Sequence, residues 1–346
     1  MGILGPVNMR EIARRAGVSC ATVSRVLSGS SLVREDTAKK VRDVVSEAGF
    51  IPNPSAAMLK YGRSRTYGLV LPDLQNPFFG EFVGAFEDLL IDIDHEVLPI
   101  SVQTSDKLVK SVRRMLMRQV DGAVLVSSEF DTGAVEPLLL RQIPLVTVDR
   151  RTVQIGCSDV SIDYELGFVE AVQHLKTLGH KRIGYIGGTK GPHTSEVRAN
   201  AFEQAIRGAG LTFYPGLTRR GNYQVTGGEA AVVSLMKTSA PPTAIITAND
   251  LTALGAALGI HRLGLVVPRD LSIVGVDDLF LSEVVQPPLT TIRIPRKRLA
   301  TACLQAMNYT KQNLERIGAE FSVPTQLIVR ESTARPKSAP KKKSKR

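Results

Sequence analysis

Apolar positions along the chain follow two rhythms. Between Met9 and Ala16, the side chains of Ile12, Ala13 and Ala16 return to one face of a helix, with Arg10, Arg14 and Arg15 outside it. Gly17 supplies the left-handed position that ends such a helix, and Ser19 suits the N-cap of a second helix over Cys20–Leu27. Val23, Val26 and Leu27 form the expected buried stripe of that helix, while Cys20, Ala21, Thr22, Ser24 and Arg25 face outward. A third helix is expected over Glu35–Ala48, with Val41, Val44, Val45 and Ala48 as its inner face. Two short helices joined by a tight Gly turn make a helix-turn-helix, and a second helix with short side chains and one Arg fits a DNA major groove.

From Tyr67 onward the rhythm changes. Short β-branched runs (Gly68–Leu71, Val97–Val102, Ala123–Val126, Leu145–Val148, Arg182–Ile186, Ala244–Thr247, Ser272–Val276) alternate with amphipathic stretches such as Phe79–Ile91, Leu166–Leu178, Val225–Met236 and Leu251–Leu263. This alternation predicts parallel sheets with crossover helices. So many strands exceed one ordinary doubly wound unit, which predicts two lobes with a ligand cleft at the carboxyl ends of their strands. Between the two rhythms, Asn53 suits a cap and Pro54 a first helical position, but Ser55–Lys60 is too short a helix to stand alone in water. On residues alone it reads as an extended linker.

Charge sharpens the division. Residues 1–66 carry eleven basic and five acidic side chains, and residues 330–346 eight basic and one acidic, against 25 basic and 27 acidic between them. A nearly neutral body is thus flanked by basic ends that attract phosphates. The tail 336–346 suits equally a disordered solubilising end and a source of non-specific DNA attraction. No apolar run is long enough to span a bilayer, and the first ten residues lack a secretory signal. Three distant cysteines (Cys20, Cys157, Cys303) argue against a disulfide framework and suit a reducing cytoplasm. The five histidines show no HxxxH or HExxH spacing, and neither a GxSxG elbow nor a catalytic Cys–His signature occurs, so neither metal, cofactor nor enzyme activity is expected. Gly184-x-x-Gly187-Gly188 lacks dinucleotide-loop spacing and reads as a turn after a strand.

The segment Gly17-Val18-Ser19 followed by Ala21-Thr22-Val23-Ser24-Arg25-Val26-Leu27 resembles the DNA-binding headpiece of the LacI/GalR family of bacterial transcription regulators. The resemblance continues through Pro72-Asp73, Asn76-Pro77-Phe78-Phe79, Val120-Asp121-Gly122, Leu178-Gly179-His180, Arg182 to Gly188, Ala248-Asn249-Asp250, Val274 to Asp278 and Pro288 to Ile292, covering roughly residues 7–335. It implies a headpiece over 7–52 and a hinge helix and linker over 53–66. The core over 67–335 would be two-lobed and similar to periplasmic sugar-binding proteins. Its lobes would run over about 67–160 and 161–290, the chain then crossing back.

By that resemblance Cys20, Ala21, Thr22, Ser24 and Arg25 meet DNA, with Ala56 at a close helix–helix contact and Leu59 as a minor-groove wedge in the hinge. The resemblance also assigns Arg198 to the effector. The residues support that assignment independently: a cation in the first turn of a helix over Glu196–Ala209 opposes the helix dipole. Asp277, ending a buried strand, suits both turn capping and acceptance from two ligand hydroxyls. Asn249 suits capping and an amide aimed into the cleft. Thr194 suits a pocket hydroxyl or a plain loop position. Asn76, with Phe78 and Tyr223 stacking on a ligand ring, completes the implied site, together with Ser127, Ser128 and Arg150 at the cleft opening. Phe79 is expected in the core and Asp149 as a structural acceptor.

Two departures stand out. The family's usual Asp-Asn reads Asp163-Tyr164 here, and a Tyr replaces the Asn amide neither in capping nor in ligand contact. Arg34 stands where a Ser is common. The expectation is a repressor-like homodimer on double-stranded operator DNA, controlled by a carbohydrate-like small molecule and not membrane-bound. The alternatives are a sugar-sensing or sugar-processing protein with a vestigial headpiece, and a regulator controlled by a protein co-regulator.

Overall fold

The computed structural model describes residues 7–27, 30, 32–50, 64–126, 132–190 and 193–337. The chain divides into two compact units, 1–64 and 65–346. Most of the expected hinge, including Ala56 and Leu59, lies outside the described residues, as do Ser127, Ser128 and residues 338–346 of the tail.

The first unit holds three helices, α1 (Met9–Ala16), α2 (Cys20–Leu27) and α3 (Glu35–Glu47). Asn8 caps α1 by accepting from Glu11 N, and Gly17 ends it at φ 65. The Ser19 hydroxyl accepts from Thr22 N at 3.1 Å, which starts α2. Ile12, Ala13, Ala16, Val23, Val26, Ala38 and Val41 form the core, whereas Val44, Val45 and Ala48, expected inside, are half-buried against it. The α3 inner face therefore keeps the expected positions and begins a turn earlier, at Ala38. Arg34 occupies the α3 N-cap without a side-chain hydrogen bond, and Glu35 and Asp36 of the first turn complement the dipole instead.

The second unit contains two six-stranded sheets. The first is built from β1 (Thr66–Leu71), α4 (Pro77–Ile91), β2 (Glu96–Ser101), α5 (Ser105–Met117), β3 (Gly122–Leu125), α6 (Glu136–Leu140), β4 (Leu145–Val148) and β5 (Cys157–Asp163). The second follows with α7 (Tyr164–Leu178), β6 (Ile183–Gly187), α8 (His193–Gly208), β7 (Thr218–Arg220), α9 (Val225–Met236), β8 (Ala244–Thr247), α10 (Asp250–Arg262), β9 (Ser272–Asp277), α11 (Leu281–Val284) and β10 (Thr290–Arg293). The chain then returns: α12 (Arg296–Gln312) packs on β4, β5 and α4, β11 (Glu320–Pro324) joins the first sheet, and β12 (Gln326–Ile328) the second.

The strand orders are β2-β1-β3-β4-β5-β11 and β7-β6-β8-β9-β10-β12. Every pairing is parallel except β10 with β12. Each order reverses next to its first strand, so each lobe has a topological switch point at its strand ends. Strands such as β1, β8 and β9 are buried along almost their whole length, as parallel strands covered on both faces must be. One apolar cluster, including Phe82, Phe86, Phe168 and Tyr185, draws on both lobes. Burying a Phe of this kind fully contributes about 1.5–3 kcal/mol. Helices α9 and α10 approach so closely that a Cβ on Gly228 would strike the Thr252 carbonyl, and one on Gly255 the Val225 carbonyl. No helix among the described residues is long and apolar enough to cross a membrane.

Candidate functional site

In the first unit, α2 exposes Cys20, Ala21 and Arg25, while Thr22 and Ser24 are half-buried. Thr22 shares a hydrogen bond with Ser19, at 3.0 Å between the hydroxyl oxygens, so its side chain supports the cap as well as lying on the outer face. On α1, Glu11 accepts from Arg14 Nη2 at 2.6 Å and from Arg15 Nε at 2.8 Å. Those hydrogen bonds pull its carboxyl down to about 2. The flank of this helix-turn-helix is therefore a mixed cluster rather than bare positive charge.

In the second unit, a cavity of about 270 Å³ opens where the strand ends of both sheets converge. The first lobe supplies a mostly apolar wall. Pro72 and Asp73 follow β1, Asn76, Phe78 and Phe79 open α4, and Val126, Val148 and Ile162 come from the ends of β3, β4 and β5. Asn76 accepts from Phe78 N at 3.0 Å, so its amide oxygen caps α4, with Pro77 at the first helical position. The Phe78 and Phe79 rings meet edge to face at 5.3 Å. Phe79 thus belongs to the cavity wall as well as packing on the core, because the first turn of α4 points into the cleft.

The second lobe supplies most of the polar groups. Thr194 and Arg198 come from α8, Asn222, Tyr223 and Gln224 from the segment after β7, Asn249 from the end of β8 and Asp277 from the end of β9. Helix α8 starts at His193, earlier than expected, which puts Arg198 beyond the first turn. The unfavourable term at Arg198 is therefore not the helix dipole but burial, since the residue is only 8% exposed. Its guanidinium donates to the Ala248 carbonyl and, at 3.0 Å, to the Tyr164 hydroxyl, and it lies 3.9 Å from Asp277. Burial works against its charge, but Tyr164, Asp277 and Tyr223 outweigh burial and hold it protonated. Its Nε is buried with no hydrogen-bond partner.

Asp277 is buried, and burial pushes its carboxyl up to about 7 against the opposing pull of Arg198. Asn249 uses both ends of its amide inside the protein. Its oxygen accepts from Thr252 N at 3.0 Å, capping α10, and its nitrogen donates to the Tyr223 carbonyl at 3.0 Å. The Tyr223 hydroxyl shares a hydrogen bond with Ser195 (2.6 Å between oxygens). A side chain at Gly188 would collide with the Tyr223 ring, which gives a physical reason for the glycine after β6. Asp149, Tyr223 and Asp277 all have left-handed backbones, at φ 63, 62 and 114, and strain of this kind in non-glycine residues gathers at ligand sites.

Contacts across the cleft join the lobes. Gln224 Nε2 donates to Asp73 at 3.2 Å, and Glu81 on α4 accepts from Phe280 N at 3.1 Å and pairs with Arg296 at 2.7 Å. Asp149 accepts from Ile162 N at 3.2 Å and from the Tyr164 hydroxyl at 2.9 Å, and also lines the cavity. Asp163, not Tyr164, caps α7, so the substituted position leaves helix initiation intact.

Seven expected effector residues therefore gather around the cavity: Asn76, Phe78, Thr194, Arg198, Tyr223, Asn249 and Asp277. Arg150 is not among the residues that line it; its backbone N–H donates to Asp159 at 3.2 Å. Asp73, Tyr164 and Gln224 were not expected there; position after a strand end was the available signal for the first, and fold-dependent packing the reason for the other two.

Comparison with known proteins agrees with this architecture. Residues 8–53 match the family described as bacterial regulatory proteins, lacI family, and residues 172–333 match the periplasmic binding protein-like domain. Catabolite control protein A of Priestia megaterium is 32% identical, covering 94% of this chain and 99% of that protein. The transcriptional repressor CytR of Escherichia coli K12 is 31% identical, covering 94% and 96%. A crystal structure of the lac repressor dimer bound to operator and the anti-inducer ONPF superposes with a TM-score of 0.82 at 25% identity, covering 95% of this chain and 99% of that one. At this identity over nearly its full length, the chain belongs to the LacI/GalR family of bacterial transcription regulators.

Proposed function

We propose that the protein is a cytoplasmic repressor that binds operator DNA as a homodimer and is controlled by a small carbohydrate-like effector held between its lobes. The observation that carries the reading is the cavity. It sets aromatic rings from one lobe opposite Arg198 and Asp277 from the other, at the strand ends where doubly wound sheets bind ligands. Sugar rings have an apolar face and a hydroxyl rim, and this wall pairing matches both. On DNA, the Ala21 methyl meets a thymine methyl and Arg25 pairs with guanine, while Cys20 offers little hydrogen bonding. Ala56 and Leu59 form the hinge contact and wedge, and Ser127 and Ser128 complete the effector set. Closure of the lobes biases the hinge between ordered and disordered, and so changes operator affinity.

The test is a mobility-shift assay against selected palindromes, repeated over a salt series. Selective binding should weaken by about 0.9 log units per neutralised phosphate per log unit of salt. An effector found by calorimetry is then titrated with and without operator. Linkage requires the two affinities to differ by the factor by which effector changes operator binding, and equal affinities overturn the coupling.

A further inference from the structure

We propose that Tyr164 sets the size and charge of the effector by closing the inner end of the cavity and occupying the polar groups there, which restricts the occupant to a single uncharged ring. The inference rests on the reading of the cavity as an effector site.

Tyr164 is fully buried, and its hydroxyl is committed on both sides, donating to Asp149 at 2.9 Å and accepting from Arg198 at 3.0 Å. Its ring lies beneath the Arg198 guanidinium, 4.6 Å from ring centroid to the central carbon. The relay Asp149–Tyr164–Arg198 therefore runs from the end of β4 to α8 along the cavity lining. Two consequences follow for a ligand. The first concerns room: about 270 Å³ remains, below the roughly 300–1,000 Å³ of pockets for drug-sized ligands. The second concerns charge. Both terminal nitrogens of Arg198 already donate within the protein, one to the Ala248 carbonyl and one to Tyr164, so two of its five N–H groups are spent before a ligand arrives. Arg198 is the one cation among the described lining residues, beside the carboxylates of Asp73, Asp149 and Asp277. What remains is the partnerless buried Nε–H of Arg198, one further N–H on each of its terminal nitrogens, and the carboxylate of Asp277, a set suited to a neutral hydroxyl-rich ring.

The experiment is isothermal calorimetry on the full chain and on its Tyr164→Phe and Tyr164→Asn variants. The panel is D-ribose, D-galactose, D-glucose, cellobiose, maltose and glucose 6-phosphate, and operator binding reports that each variant is folded. The wild type should bind one or more of the neutral single rings and reject the disaccharides and the phosphate ester. Tyr164→Phe, which keeps the ring, should retain the size limit. Tyr164→Asn should narrow the preference for one ring over two by about tenfold or more, the scale on which pocket shape discriminates. Equal binding of mono- and disaccharides by the wild type overturns the proposal, as does an unchanged panel profile in Tyr164→Asn. Silence of all three proteins toward the whole panel overturns the effector reading itself, and the proposal with it.

Discussion

The two lobes share one strand order and differ in what they bring to the cleft. The first contributes Phe78, Phe79, Val126, Val148 and Ile162, with carboxylates at Asp73 and Asp149 already engaged by Gln224 and Tyr164. The second contributes a buried guanidinium, a buried carboxylate and the amides and hydroxyls around them. A single sheet topology thus supports a greasy wall and a charged wall, because the side chains just beyond the strand ends are free of the packing rules that fix the strands themselves. The division also separates tasks: the apolar wall contributes affinity without direction, and the charged wall fixes orientation.

The comparison breaks most easily at Arg198. Replacing it with Ala leaves Asp277 and the Tyr164 relay without their cation, and urea denaturation should show a loss of about 3–5 kcal/mol, together with loss of effector binding by calorimetry. A wild-type stability would refute the charged wall. On the opposite side, Phe78→Ala should cost about 3 kcal/mol in the same assay, because the ring is buried and also carries the Arg296 guanidinium at 5.3 Å. This variant should weaken all ring ligands together without reordering them. A change of order would place selectivity on the apolar wall.

The charged wall also predicts a pH dependence. The carboxyl of Asp277 is raised to about 7 in the folded protein, chiefly by burial. A ligand that donates hydroxyl hydrogens needs the ionised form. Affinity should therefore rise roughly tenfold from pH 6 to pH 8, with proton release, and level off above. Calorimetry in buffers of different ionisation heat measures both, and a flat profile would show that Asp277 does not accept from the ligand. For folding the sign is opposite: the folded state binds this proton more tightly than the unfolded chain. The stability from this group is greatest below the ordinary carboxylate range and falls as pH rises through 7. The smallest effect belongs to the cross-cleft link. Gln224→Ala should cost about 1 kcal/mol of closed-state stability, seen as a several-fold weaker ligand, and no change would make the link with Asp73 incidental.

What could be read from the chain divides along the same physical line. The α1 and α2 boundaries follow from local signals, Gly17 and Ser19 among them, and the apolar strands declare themselves. Strand β5 does not, because Ser158, Asp159 and Ser161 interrupt its apolar run. Those polar groups are tolerable only through distant partners: Ser158 meets Thr310 at 2.6 Å, and Asp159 accepts from Thr147 at 2.5 Å. Helix α12 carried a usable signal in Leu299, Ala300, Cys303, Ala306 and Met307, at helical spacing, but its small residues and three leading basic residues obscure the apolar stripe. The helix start removes the dipole argument for Arg198 and leaves the family resemblance as its signal, and Tyr164 gave no sign of its relay, which exists only once β4, α7 and α8 have met.

The return of the chain after β10 has a consequence for synthesis. A ribosome that has completed about three hundred residues has made β1–β5 and β6–β10 in full, yet neither sheet has its last edge, since β11 and β12 come at Glu320–Pro324 and Gln326–Ile328. The two lobes are therefore finished together by a few late residues, and a premature stop codon anywhere before position 320 damages both halves of the receptor at once.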